Sequence, residues 1–154
     1  MARGYCAIGI FEPKTIDNLG LLFRSAHLLG ADFLFTIGHR YRRQVADTSN
    51  ASAHVPYFSF ADWPDFLAHL PQPRSSLQLV GVELVEQAVE LERWIHPERA
   101  IYLLGGEDRT LSTEVLATCD EVVKIHSSHC LNVAVSGSIV LYDRQAKQLA
   151  KATA

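Results

Sequence analysis

The sequence predicts an α/β domain, a mostly parallel sheet flanked by helices, and three observations predict it. Short apolar runs alternate with helical stretches along most of the chain, the order that strand–helix–strand units produce. Glycine and proline punctuate the junctions, at Pro13, Gly30, Gly38, Pro71 and Pro73. Finally, 154 residues with 48% hydrophobic and 20% charged side chains suit one globular domain over 1–154 with a sizeable core.

Taken in order, Tyr5–Phe11 is an apolar run ending at Glu12-Pro13 and reads as the first buried strand. Asp17 or Asn18 is placed to cap a helix running to about Leu29, with Gly30 as its stop. Phe33–Ile37 reads as the second strand, closed by Gly38, and His39–Val55 is polar and irregular with room for one helical turn. Asp62-Trp63-Pro64 marks a helix start, because Pro is tolerated in a first turn; this helix runs to Leu70 and ends at Pro71-Gln72-Pro73. Leu77–Leu84 is a third strand, Ala100–Leu104 a fourth, Ser112–Cys119 a helix and Glu121–Ile125 a fifth strand. The tail is ambiguous on its residues. Val133–Tyr142 is rich in β-branched side chains and favours a strand by propensity, whereas Asp143–Lys151 is helical in composition.

No apolar run approaches the roughly 18–20 residues that span a bilayer, and Met-Ala-Arg-Gly-Tyr lacks a secretory pattern. Cys6, Cys119 and Cys130 are odd in number and widely spaced, against a disulfide framework or a zinc ribbon. A cytoplasmic protein with reduced thiols is expected. The formal net charge of −3 does not advertise a nucleic-acid partner, so any such contact must come from a local patch.

Chemistry concentrates in segments at strand–helix junctions, where open α/β sheets bind ligands. In the first helix, Asp17, Gly20, Arg24 and His27 share one face, and Leu19, Leu22, Phe23, Ala26 and Leu29 form the core face. Gly20, one turn before Arg24, leaves room for a backbone or a phosphate, or is incidental on a solvated face. Leu104-Gly105-Gly106-Glu107 allows close backbone approach to an adenine or ribose, or is a tight turn with an exposed acid. His129-Cys130 invites a thiol nucleophile, yet neighbours on a chain rarely align and no third group orients them. His126, His129 and Cys130 lie in one loop without a partner cluster, so no metal is expected. Arg40, Tyr41, Arg42 and Arg43 form a cationic patch around an aromatic, suited to RNA phosphates and an unpaired base, although such runs are also ordinary solvated surface.

Together, Asn18-x-Gly20-x-x-x-Arg24-Ser25-Ala26, Leu104-Gly105-Gly106-Glu107 followed by Leu111-Ser112, and Leu131-Asn132-Val133-Ala134-Val135-Ser136-Gly137 resemble the three motifs of the SpoU/TrmH branch of the SPOUT methyltransferases, in order and separation. The resemblance covers nearly the whole chain. It implies a C-terminal deep trefoil knot, with Asn132 onward as the final helix, and a homodimer. It further implies S-adenosylmethionine as cofactor and methylation of a ribose 2′-hydroxyl in RNA, tRNA more than rRNA. Carried over, Asn18, Arg24, Glu107 and Asn132 are the catalytic positions. Leu104, Gly105, Gly106, Ile125, Cys130, Leu131 and Val133 fall at the cofactor pocket. A guanidinium stays protonated, so Arg24 is expected to bind phosphate and stabilise the developing alkoxide rather than remove a proton. Two departures stand out: Cys130 replaces the usual Ser, and Ile125–Cys130 is shorter than the usual loop and lacks its Pro. That altered loop is the argument for the alternative, a non-catalytic RNA-binding protein retaining the fold.

Overall fold

In the first strand, β1 (Tyr5–Phe11), Cys6, Ile8 and Ile10 pack on one face of the sheet and Ala7 on the other. A strand buried on both sides belongs in the middle of a parallel sheet. The computed structural model describes residues 4–38, 51–74 and 76–153. Within them follow β2 (Phe33–Ile37), β3 (Tyr57–Phe60), β4 (Leu77–Val82), β5 (Val89–Glu90), β6 (Arg99–Gly105) and β7 (Glu121–Lys124). All the pairings are parallel, in the order β3-β2-β1-β6-β4-β7-β5.

The seven strands exceed the five expected. β3 is a short edge strand without clean alternation, and β5 has two residues, too few for any periodicity. β4 stops at Val82 rather than Leu84 because the chain turns there, with Val85 N–H donating to Glu83 O at 3.0 Å.

Among the described residues, four α-helices cover the sheet: α1 (Ile16–Leu28), α2 (Trp63–His69), α3 (Thr113–Thr118) and α4 (Val133–Ala152). The core residues of α1 and α4 lie in one apolar layer and those of α2 and α3 in the other. Neither Asp17 nor Asn18 caps α1. The helix starts at Ile16, so both lie in its first turn, and Thr15 occupies the cap position without a side-chain cap bond. By contrast, Asp62 caps α2 through Asp65 N–H and Ser112 caps α3 through Val115 N–H.

α4 overturns the strand propensity of Val133–Tyr142. Its buried residues, Val133, Ala134, Gly137, Val140, Leu141 and Arg144, recur at helical spacing, and packing against α1 outweighs a weak backbone preference. The far half of α4 is pinned by a polar network. Buried Arg144 donates to the carbonyls of Pro97 (2.6 Å) and Glu98 (2.7 Å), and His96 bridges Tyr102 (2.6 Å) and Asp143 (2.8 Å).

β1 leads into α1 on one face of the sheet, while its neighbour β6 leads into α3 on the other. The chain therefore switches faces between β1 and β6, and at this carboxyl edge, where such sheets bind ligands, the loops after β4, β6 and β7 border a cavity.

Candidate active site

Gly106, directly after β6, fits against the end of β1 and the loop that follows it only because it lacks a side chain. A Cβ there would lie 2.4 Å from Glu12 O and 3.0 Å from Phe11 O. This close approach delivers Glu107 to the start of α1. Its carboxylate accepts from Lys14 N–H (2.8 Å), Thr15 N–H (3.1 Å), Thr15 Oγ1 (2.7 Å) and Asn18 Nδ2 (2.6 Å). Glu107 thus does from a distant loop what Thr15 does not, placing an acceptor and a negative charge at the positive end of the helix. Partial burial pushes its pKa up, but the donors from Asn18, Thr15 and Lys14 prevail and hold it at about 2.

Asn132 begins α4. Its Oδ1 accepts from Ala134 N–H (2.9 Å) and Val135 N–H (3.3 Å), so its Nδ2 must face away, and it donates to Asn18 Oδ1 at 2.8 Å. An unbroken chain, Asn132 to Asn18 to Glu107, therefore ties the three motif segments together. Two ion pairs, Arg109–Glu12 at 2.9 Å and Lys14–Asp108, join the same loops at the surface. Such exposed pairs align loops more than they stabilise them.

Beside this chain lies a cavity of about 460 Å³, within the usual range for small ligands. Leu104, Gly105, Gly106, Ile125, Cys130, Leu131 and Val133 all border it, as do Glu107 and Asn132. Asn18 is buried at 8% exposure behind them and does not line it. Arg24 is not brought there either: it is exposed on α1, between Leu21 (57% exposed) and Leu28 (65%), three and four residues away along the helix. Val135, Tyr142 and Leu149, spaced by seven on α4, are exposed too. The RNA patch Arg40, Tyr41, Arg42 and Arg43 lies outside the described residues.

The nucleophile reading finds no geometry. Cys130 is exposed, and the His129 imidazole lies 3.1 Å from Ser128 Oγ; among the described residues no hydrogen bond joins it to the thiol. Among the same residues, no three His, Cys, Asp or Glu side chains gather where they could hold a metal ion, and no helix is long and apolar enough to cross a membrane. Sequence reasoning missed Glu83, a buried carboxylate on the cavity wall. Its signal was present, an acid directly after the apolar run Leu79-Val80-Gly81-Val82, just as Glu107 follows its own strand.

The model of the SpoU rRNA methylase family matches residues 6–142. The chain belongs to that family. An uncharacterised tRNA/rRNA methyltransferase of Archaeoglobus fulgidus is 26% identical over 142 residues, 86% of this chain and 62% of the relative. The SpoU methyltransferase AviRb from Streptomyces viridochromogenes, solved with AdoMet, superposes with a TM-score of 0.83 at 21% identity, over 97% of this chain and 60% of that one. A structure from work on 2-OH methylation of C/U34 on tRNA gives 0.79 at 24% identity, over 97% of this chain and 94% of its own. The chain thus spans about three fifths of the first two relatives (62% and 60%). At these identities the superpositions speak for the fold: SpoU proteins share the parallel sheet and its flanking helices.

Proposed function

We propose that this chain is an S-adenosylmethionine-dependent RNA methyltransferase acting on a ribose 2′-hydroxyl, with tRNA preferred over rRNA. The whole chain forms one catalytic domain, and it works in the cytoplasm as a homodimer. The observation that carries the reading is the Asn132–Asn18–Glu107 chain beside a small-molecule cavity beyond the carboxyl ends of β4, β6 and β7. Family membership supports methyl transfer, and the AdoMet complex and the tRNA 2-OH methylation structure among the fold neighbours support the cofactor and the hydroxyl.

The cavity suits that cofactor. Its lining holds the carboxylates of Glu83, Glu107 and Asp108 against one guanidinium, Arg109, a balance favourable to a ligand bearing a sulfonium and an ammonium. When bound, the cofactor would supply an electrophilic methyl: the ribose oxygen would bond to it as the S–CH3 bond breaks, the sulfur would keep the electron pair as a neutral thioether, and the hydroxyl proton would pass to solvent. Leu104, Gly105, Ile125 and Leu131 hold the ligand and exclude water. Glu107 and Asn132, on the wall nearest α1, orient the ribose. Arg24 binds the adjacent phosphate and stabilises the developing alkoxide.

Arg24 does not line the cavity of its own chain, and in this reading it serves the cavity of a second copy. The apolar stripes Leu21–Leu28 and Val135–Tyr142–Leu149 flank it on packed helices and supply a face for a second copy. Threading of the C-terminal segment as a trefoil knot belongs to the same reading, supported by the convergence of segments after β4, β6 and β7 on one cavity.

Calorimetric titration with S-adenosylmethionine, followed by labelled-methyl transfer to bulk tRNA and rRNA, tests the proposal. Binding, label on ribose, and at least a roughly hundred-fold loss of transfer in Arg24→Ala with unchanged cofactor affinity are expected. Absence of binding at millimolar cofactor, or label on a base, overturns it. Cofactor binding without transfer to any RNA would favour the non-catalytic alternative.

A further inference from the structure

Glu83 has no role in the chemistry above, yet it is built into the cavity. It follows β4, is 9% exposed, and accepts Leu84 N–H at 3.0 Å on one oxygen and Leu111 N–H at 2.8 Å on the other. A Cβ on Gly105 would come within 3.0 Å of its Oε2, so the glycine lets the end of β6 close on this carboxylate. Among the described residues, no cationic side chain forms an ion pair with it. The neighbouring acids differ: Asp108 pairs with Lys14, and Glu107 takes four donors at the start of α1. A buried carboxylate held by two neutral donors is costly to keep, and each oxygen retains acceptor capacity.

Position narrows what could use that capacity. β4 lies on the opposite side of β6 from β1, so Glu83 borders the cavity far from Asn18 and the start of α1. A ligand with its reacting group toward Glu107 and Asn132 turns its other end toward Glu83 and Ile125. We propose that Glu83 accepts hydrogen bonds from both hydroxyls of the cofactor's vicinal ribose diol. A diol offers two rotatable donors to one carboxylate. An adenine edge sets its amino donor beside an acceptor nitrogen, which a carboxylate repels. An acid beyond a strand end serves ribose in the same way in other nucleotide-binding α/β sheets.

This inference rests on the S-adenosylmethionine reading, and the test separates the two. Calorimetry compares S-adenosylhomocysteine with its 2′-deoxy and 3′-deoxy analogues on the wild type and on Glu83→Gln. On the wild type each deoxy analogue is expected to bind at least about ten-fold more weakly, the loss for a hydrogen bond to a charged acceptor. In the variant the parent binds more weakly and the discrimination shrinks below about three-fold. Equal wild-type affinity for parent and deoxy analogues overturns the assignment and leaves the cofactor reading intact. Discrimination undiminished in a folded variant overturns it too. No binding of the parent to the wild type removes the cofactor reading and this inference with it. The glutamine amide would face a backbone N–H, so the variant's fold is checked by circular dichroism; if it fails to fold, the wild-type series decides alone.

Discussion

Replacing Asn18 with Asp tests whether one chain of hydrogen bonds holds the three loops. Asn18 Nδ2 donates to Glu107 at 2.6 Å, and its Oδ1 accepts from Asn132 at 2.8 Å. Aspartate keeps the shape and the acceptor facing Asn132, but sets a carboxylate oxygen against Glu107. The lost charge-assisted bond costs about 1.5–3 kcal/mol. Repulsion between the two carboxylates, relaxed to roughly 4 Å, adds about 1–4 kcal/mol, and the lower end applies because Glu107 is partly open to solvent. Together this is about 2.5–4 kcal/mol at pH 7, which lowers the melting temperature by roughly 10 °C in a domain of this size. Asn18→Ala loses this bond and the one from Asn132, about 2–4.5 kcal/mol together, but carries no repulsion, so the two variants differ in their pH dependence rather than in depth at pH 7.

The pH dependence distinguishes the two variants. In the wild type, burial opposes the ionised form of Glu107, but Asn18, Thr15 and Lys14 hold its pKa at about 2. Its stabilisation is therefore present above the ordinary carboxylate range and is lost as pH falls toward that value. In Asn18→Asp one of the two facing carboxyls is raised instead. Its penalty exists at neutral pH and is relieved as pH falls through the raised value. Denaturant melts at pH 7, 6, 5 and 4 should show the gap to wild type closing for Asn18→Asp but constant for Asn18→Ala between pH 7 and 5. If the two variants track each other as pH falls, the contact with Glu107 does not exist in solution.

Gly137→Ala sets a Cβ 2.5 Å from Leu22 Cδ1 and 3.1 Å from Leu104 Cδ1. Overpacking of about 1–3 kcal/mol outweighs alanine's better helix propensity of about 1 kcal/mol, so the melting temperature drops; a rise would disprove the tight α1–α4 seam. Tyr142→Glu, on a side chain 64% exposed, should turn the proposed dimer into a monomer by light scattering at micromolar concentration, and a mass unchanged from wild type would discard this face. Gly106→Ala must push Glu12 O away from 2.4 Å and force the two loops apart, so cofactor binding should be lost while circular dichroism stays native; retained affinity would show the loops are not clamped there.

Much of the fold is legible in the residues because it rests on short-range regularities. Two-sided apolar runs mark β1, β2, β4 and β6, and Asp62 and Ser112 announce the helices they cap. The edge strands β3 and β5 escape because one lacks alternation and the other has two residues. The motif segments are legible through residue type and their order along the chain. Their roles are less so: Asn18 reads as a candidate cap and is instead the middle link between Asn132 and Glu107.

By itself, then, the sequence determined the α/β class, the places where loops leave the sheet, and which polar side chains could do chemistry. Tertiary structure alone decided that Glu107 closes the start of α1, that Arg24 is exposed and does not line the cavity of its own chain, and that Glu83 is buried in the cavity wall. The reason is physical. The Asn18–Glu107 and Asn18–Asn132 bonds join residues 89 and 114 positions apart. Propensity and periodicity act over a few residues, whereas the partner of a buried polar group is chosen by whichever distant segment packing brings within about 3 Å.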